Sequence, residues 1–108
     1  MAYRVRQIAT IKYGHFGEYF ATVKRLEEIV RARGWAPARV LVPTAGQSNE
    51  IIIENDYPDL ATFQQESEAF YADAEAFQAF RAGAEFVVEG SARTELLEDV
   101  PMSFPGSE

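Results

Sequence analysis

The sequence predicts one α+β domain, in which a four-stranded antiparallel sheet is covered on one face by helices in a βαββαβ order. Three observations predict this fold class. The spacing of apolar residues switches between the two-residue period of strands and the three- and four-residue steps of helices. A short glycine-containing connection joins the two middle strands, as in a hairpin. No linker or repeat divides the 108 residues, so we assign residues 1–100 to one domain and residues 101–108 to a C-terminal tail.

The first strand and the first helix are predicted from a change of period after residue 12. Residues 3–12 place Val5, Ala9 and Ile11 on one parity, which is typical of a strand. From Phe16 onward, apolar residues recur at helical spacing and continue to Val30. Gly34 follows two basic residues and is the expected C-terminal cap.

The second half of the sequence is predicted to contain two strands, a helix and a last strand. Residues 37–44 and 50–55 are predicted strands, the second of which contains three consecutive isoleucines. Pro58 is expected in the first turn of the second helix. A break near Asp73 divides that helix, and a further helical piece runs to about Ala82. Residues 86–97 are predicted as one final strand, with Gly90 as a bulge or a point of close approach.

Composition excludes several classes of function. The net charge of −7 repels phosphate backbones, so we expect no nucleic-acid partner. There are no cysteines and one histidine, which leaves no thiolate chemistry and little prospect of a metal site. No apolar segment approaches the length of a membrane span, and we find no signal peptide. We therefore expect a cytoplasmic protein with no metal, no cofactor and no membrane partner.

The sheet is too apolar for a monomer, which predicts a homodimer. Isoleucine occupies both faces over residues 51–53, and residues 40–42 repeat the pattern on the neighbouring strand. Helices cover one face only, so the other would leave a large exposed apolar patch. The predicted dimer interface consists of Val40, Val42, Ile51 and Ile53. A monomer shielded by its own tail is the alternative, and the sequence leaves open which face forms the interface.

Several short segments carry a resemblance to a known superfamily. They are Tyr13-Gly14-His15-Phe16-Gly17, the hairpin from Gly46 through Asn49-Glu50-Ile51-Ile52, Tyr57-Pro58-Asp59-Leu60, and Tyr71-Ala72-Asp73-Ala74-Glu75 with Phe77 and Phe80. Over residues 3–99 the chain resembles the dimeric α/β-barrel superfamily of ferredoxin-like proteins, and it looks most like NIPSNAP-type proteins. Relatives of this architecture include antibiotic-biosynthesis monooxygenases, polyketide cyclases, muconolactone isomerases and haem-degrading enzymes. Fold alone does not choose among these activities.

Candidate catalytic residues are His15, Arg6 and Arg93. His15 is the single histidine, the residue type most often used for proton transfer in enzymes, and it follows the first strand, where the mouth of a cavity would lie, so it is a candidate general acid or base. The alternative is a loop histidine at a helix start. Arg6 and Arg93 lie on predicted strands and are suited to orienting a polar substrate, or alternatively to ion pairing across the sheet or the dimer interface.

Candidate substrate-binding residues are Tyr13, Trp35, Asn55 and Tyr71. Trp35 and Asn55 resemble in type the Trp and Asn of quinone-forming monooxygenases, although packing over the helix end also explains Trp35. The two tyrosines are candidate hydrogen-bond donors, or ordinary half-buried residues.

Two functions follow as hypotheses. The first is a cofactor-independent monooxygenase, cyclase or isomerase that acts on an aromatic or polyketide-like molecule in a cavity between sheet and helices. The second is a non-catalytic module that binds a small molecule or another protein. An enzyme requires an open cavity with converging polar groups from His15, Arg6 or Arg93. A space filled by Phe and Ile side chains would exclude it.

Overall fold

The structure is a computed structural model that describes residues 2–102. Its elements are β1 (Tyr3–Thr10), α1 (Phe16–Ala32), β2 (Ala38–Leu41), β3 (Glu50–Tyr57), α2 (Leu60–Ala72), α3 (Ala74–Ala84) and β4 (Arg93–Glu98). The sheet has the order β2-β3-β1-β4, and all neighbouring strands are antiparallel. The predicted ferredoxin-like α+β fold is confirmed. Most of the predicted tail, residues 103–108, lies outside the described residues.

The end of α1 is set by Gly34, as the sequence predicts. Gly34 has a φ of 74°, which an L side chain rarely adopts. The Gly34 N–H donates to the carbonyl of Arg31 and the Trp35 N–H donates to the carbonyl of Val30. This pair of bonds is the Schellman motif, which satisfies the last carbonyls of a helix. The chain then turns back toward the sheet with Trp35 at the turn.

Asp73 separates α2 from α3, which confirms the predicted break. Its carboxylate accepts a hydrogen bond from the N–H of Ala76 at 3.0 Å, and its backbone is extended. The start of α2 differs from the prediction: Asp59 is the N-cap, accepting from the Thr62 N–H at 2.7 Å. Pro58 therefore lies one residue before the cap rather than in the first turn. No helix in residues 2–102 is long and apolar enough to cross a membrane.

The predicted last strand is divided into two parts. Val87 forms a single bridge with Ile11, and β4 begins only at Arg93. Between them Gly90 adopts a φ of 79°, and the Ser91 hydroxyl donates to the carbonyl of Val88 at 2.7 Å. This turn interrupts the ladder, because a left-handed residue cannot continue an extended strand. The prediction of one continuous strand was wrong at the glycine that it interpreted as a bulge.

Strand register decides which residues share each sheet face. Directly paired residues point the same way, so Val5, Gln7, Ile53 and Asn55 lie on the face that the helices cover. We call this the inner face. The opposite, outer face includes the apolar residues Ile8, Leu41, Ile52 and Leu97.

The register places three of the four residues predicted for the dimer interface on the face that the helices cover. Ile51, Ile53 and Val40 are inner-face residues, and Ile51 is only 1% exposed within one chain. Ile51 therefore has no surface to offer to a second copy. The alternating pattern shows that both faces are apolar, but not which one the helices cover. Val42 follows β2 and is exposed.

Candidate functional site

A cavity of about 520 Å³ lies between the inner face of the sheet and the helices. The inner-face residues of β1 and β3 form its floor. All three helices and the segment before β4 form its walls, mainly through Tyr19, Val23, Leu26, Val30, Phe63, Phe70, Phe80, Val87 and Val88. Gln7, in the middle of the central strand, is exposed although helices lie on its side of the sheet. The cavity is therefore open to solvent.

The helices leave this space because they pack mainly on one another. α1 and α3 are in close contact, and a Cβ atom on Gly83 would lie only 2.6 Å from the Thr22 hydroxyl oxygen. The glycine thus permits an approach that any side chain would prevent. Among the described residues, the buried apolar core consists of Val5, Ile8, Ile11, Ile29, Ile51 and Ala76. Most of the apolar residues that line the cavity remain half-buried, so they do not fill it.

A polar corner of the cavity is organised around the connection between α1 and β2. The Ala36 N–H donates to Glu66 Oε1 at 2.7 Å, and Asn55 Nδ2 donates to the Ala36 carbonyl at 3.1 Å. Trp35, Asn55, Tyr57 and Glu66 all line the cavity here, and we call this group the Glu66 corner. The structure therefore brings together Trp35 and Asn55, two of the residues that the sequence suggests for substrate binding.

Two further features define the Glu66 corner. The indole of Trp35 lies 6.2 Å from the ring of Phe70, measured between ring centroids. Burial, and then the nearby carboxylate of Glu66, raise the pKa of Tyr57. The Tyr57 hydroxyl therefore stays protonated through the physiological range. The corner offers carboxylate, amide and hydroxyl groups beside an aromatic wall.

Sequence reasoning missed Glu66 and Tyr57. A signal for Glu66 exists, because Phe63, Glu66 and Phe70 follow each other at helical spacing along one stripe of α2. A carboxylate on an apolar stripe is unusual and needs a partner, which here is the backbone N–H of Ala36.

His15 and Tyr13 lie away from the cavity lining. His15 is the N-cap residue of α1, where its Nδ1 lies 2.8 Å from Glu18 Oε1 and its ring stacks on Phe86 at 5.4 Å. Tyr13 is 74% exposed, with its hydroxyl 3.2 Å from the hydroxyl of Ser48. Tyr71 borders the cavity but is 68% exposed, at its rim.

The two arginines suggested for catalysis do not meet at one site. Arg6 is on the outer face, where its Nε donates to Glu54 Oε2 at 2.8 Å. Arg93 borders the cavity at the start of β4, although its register with Ile8 places its side chain on the outer face as well. His15, Arg6 and Arg93 thus do not converge on one point of the cavity. Within residues 2–102, no group of three or more potential metal ligands lies together.

The outer face carries a cluster of ion pairs centred on Glu54, whose side chain is 8% exposed. Besides Arg6, its carboxylate accepts from Arg39 Nη2 at 3.3 Å. Asp56 accepts from Arg39 Nη1 at 2.6 Å and from Arg4 Nε at 3.0 Å. The hydrogen bonds from Arg39 and Arg4 lower the pKa of Asp56 from 3.8 to about 2, and that from Arg6 lowers the pKa of Glu54.

These lowered pKa values predict a pH dependence of stability. A carboxylate whose pKa is lower in the folded state stabilises the fold above its unfolded pKa, and the contribution is lost as the pH falls through the folded pKa. We therefore expect the free energy of unfolding to decrease from pH 3.8 toward about 2, the window set by Asp56. Urea unfolding at a series of pH values measures this decrease. Arg39→Gln should flatten the slope in that window, and an unchanged slope would contradict the assignment.

No family model matches the chain, and no curated protein matches its sequence. Solved structures do match. A NIPSNAP family protein from Agrobacterium tumefaciens superposes with a TM-score of 0.78 at 16% identity, covering 94% of this chain and 89% of that one. A second NIPSNAP family protein of unknown function from the same organism gives 0.78 at 14% identity, covering 94% and 91%.

A third similar structure is a putative antibiotic biosynthesis monooxygenase from Nitrosomonas europaea. It gives a TM-score of 0.71 at 12% identity, covering 92% of this chain and 90% of that one. Structural similarity at such low sequence identity establishes the fold, but it does not transfer an activity to this chain. The chain has the ferredoxin-like fold that NIPSNAP and antibiotic-biosynthesis-monooxygenase-like proteins share, which confirms the resemblance predicted from the sequence.

Proposed function

We propose that this protein binds a small apolar molecule in the cavity between its sheet and its helices. The observation that carries the proposal is the cavity itself, at about 520 Å³. Ligand pockets in proteins span roughly 300–1,000 Å³ and are mostly apolar, with a few polar groups that orient the ligand. The aromatic walls and the Glu66 corner fit that description.

Binding rather than catalysis is the function that the geometry supports best. Of the three residues suggested for catalysis, only Arg93 borders the cavity. His15 instead pairs with Glu18, and Arg6 pairs with Glu54 on the other side of the sheet. A general acid or base has to reach the reacting atom within hydrogen-bond distance. The proposed function therefore needs no reaction at His15.

A dimer formed through the outer face accompanies this proposal. Ile8, Ile52 and Leu41 form one row across this face, in which Ile8 is nearly buried and Leu41 is 43% exposed. Leu97 is 38% exposed and lies beside Arg4, on the far side of the row that pairs Arg6 with Glu54. The charged residues of this face are Arg4, Arg6, Arg39, Arg93, Glu50, Glu54, Asp56 and Glu95. Arginines and carboxylates are equal in number, so the face is formally neutral although the chain carries −7. A second copy can approach this face about a two-fold axis without net repulsion.

Calorimetric titration with 2-naphthylmethanol tests the binding proposal. This molecule has an apolar aromatic ring and an uncharged head group, and we expect it to bind the wild-type protein. Ala9→Phe places a ring in the cavity from the inner face of β1, beside Ile51. We expect it to weaken binding by at least about tenfold, because the ring occupies the ligand's space.

The melting temperature of Ala9→Phe separates an open cavity from a filled one. In an open cavity the new ring fills space, so the melting temperature stays the same or rises. In a packed interior the ring would cost about 1–3 kcal/mol. Ala61→Phe, at an exposed position of α2, is the matched control and should bind as the wild type does. No binding to the wild type, or a strong destabilisation by Ala9→Phe, would contradict the proposal.

A further inference from the structure

We propose that the cavity selects an apolar molecule whose head group is an uncharged or cationic hydrogen-bond donor, which the Glu66 corner receives. This inference rests on the proposed binding function and specifies the chemical class of the ligand. It follows from two independent observations: the sign of the charges around the cavity, and the unused hydrogen-bonding capacity of its polar corner.

The charged residues that line the cavity are mostly acidic. They are Glu27, Glu66 and Glu89, and the basic residue among them is Arg93, which borders the cavity although its register with Ile8 places its side chain on the outer face. Arg93 begins β4, and the Glu66 corner adjoins β2. β2 and β4 are opposite edges of the sheet, so the arginine does not neutralise the corner. A carboxylate or phosphate placed there would meet a like charge in a partly dehydrated site, where such repulsion is stronger than in water.

Besides the Trp35 indole N–H and the Tyr57 hydroxyl, the corner offers two fixed acceptors to a ligand. Glu66 Oε1 accepts from the Ala36 N–H, and the second carboxylate oxygen of Glu66 accepts no hydrogen bond from residues 2–102. The Asn55 amide uses its Nδ2 on the Ala36 carbonyl, and its Oδ1 accepts no hydrogen bond from residues 2–102, so it is available as an acceptor. The bonds to Ala36 fix both side chains in place. Two acceptors held beside an apolar wall are suited to the N–H or O–H of a ligand.

Glu27 differs from Glu66 in this respect, although it also lines the cavity. Its carboxylate accepts from the Ala38 N–H at 3.0 Å and pairs with Arg31 Nε at 3.3 Å. Its charge is therefore already compensated by a helix residue. Glu66 is the carboxylate of this corner with capacity left for a ligand, so its removal should change selectivity most.

Three ligands with one ring system test the inference. They are 2-naphthylmethylamine, which is cationic at neutral pH, 2-naphthylmethanol, which is neutral, and 2-naphthoate, which is anionic. We expect the amine to bind at least about tenfold more tightly than the carboxylate to the wild-type protein, with the alcohol between them. Titration calorimetry at moderate ionic strength measures all three. Equal affinities, or a tighter carboxylate, would overturn the inference.

The Glu66→Gln variant tests whether Glu66 is the residue that causes the preference for the amine over the carboxylate. Glutamine keeps an oxygen that accepts from the Ala36 N–H, so the connection between α1 and β2 stays in place. We expect the ratio of amine to carboxylate affinity to fall by at least about fivefold. Glu68→Gln is the matched control, because Glu68 is an exposed residue of the same helix and does not line the cavity. A ratio that changes equally in both variants would contradict a role for Glu66.

The outcomes also separate this inference from the proposed function. If all three ligands bind alike and Ala9→Phe blocks all of them, the cavity binds ligands and the head-group inference is wrong. If none of them binds the wild type, both proposals are wrong. If Glu66→Gln does not fold, the affinity order on the wild-type protein still decides the inference.

Discussion

Replacing Ile52 with glutamate is expected to convert a dimer into a folded monomer. Ile52 lies on the outer face, where it pairs directly with Ile8 on β1 and Leu41 on β2. A two-fold interface would bury the new carboxylate twice, and burying an unpaired charge costs several kcal/mol. We expect the dimer dissociation constant to rise by a factor on the order of 1,000, which corresponds to about 4 kcal/mol.

Light scattering coupled to size-exclusion chromatography measures this change. Gln64→Glu adds the same charge to an exposed position of α2 and should leave the dimer intact. Circular dichroism of Ile52→Glu should keep the helical and sheet signal of the wild type. A wild-type protein that is monomeric at all concentrations would contradict the outer-face interface, and so would an Ile52→Glu protein that remains a dimer.

Replacing the preceding residue, Ile51, with alanine is expected to destabilise each chain instead. Ile51 is 1% exposed and lies on the inner face opposite Ala9. Deleting a buried isoleucine side chain to alanine costs about 2–5 kcal/mol. The described core holds few fully buried apolar residues, so the loss is a large fraction of a typical stability of about 5–15 kcal/mol.

Thermal and urea unfolding measure the cost. Ile53→Ala is the matched comparison, because Ile53 lies on the same strand and face but is half-buried at the cavity floor. Its loss enlarges an existing space, so we expect less than half the effect of Ile51→Ala. An equal effect at the two positions would show that the space above Ile53 is packed. The oligomeric state of folded Ile51→Ala should match that of the wild type.

Ile51 and Ile52 also show how much of the fold the sequence reveals. Periodicity was sufficient for the order of elements, the cap at Gly34 and the break at Asp73, since these depend on local spacing and backbone geometry. Which isoleucine faces the helices depends on strand register and on helix placement, which are tertiary properties. The division of the last strand at Gly90 has a similar origin, because a glycine in a strand pattern is equally compatible with a bulge and with a turn.

The candidate site was predictable only in part. Trp35 and Asn55 come together because one follows α1 and the other faces the same end of the cavity from β3. His15 and Arg6 do not join them, since each has a nearer carboxylate partner in Glu18 and Glu54. No spacing rule in the sequence reveals such pairing. The charge balance of the outer face likewise emerges only once the register aligns residues from four strands.

The central claim is that the cavity is open and binds a ligand, and a crystal structure of the complex with 2-naphthylmethanol tests this claim most directly. We predict electron density for the naphthalene ring between the inner face at Val5 and Ile53 and the ring of Phe70, with the hydroxyl directed toward Glu66. A space closed by the protein's own side chains, or a ligand bound elsewhere with the cavity empty, would contradict the account.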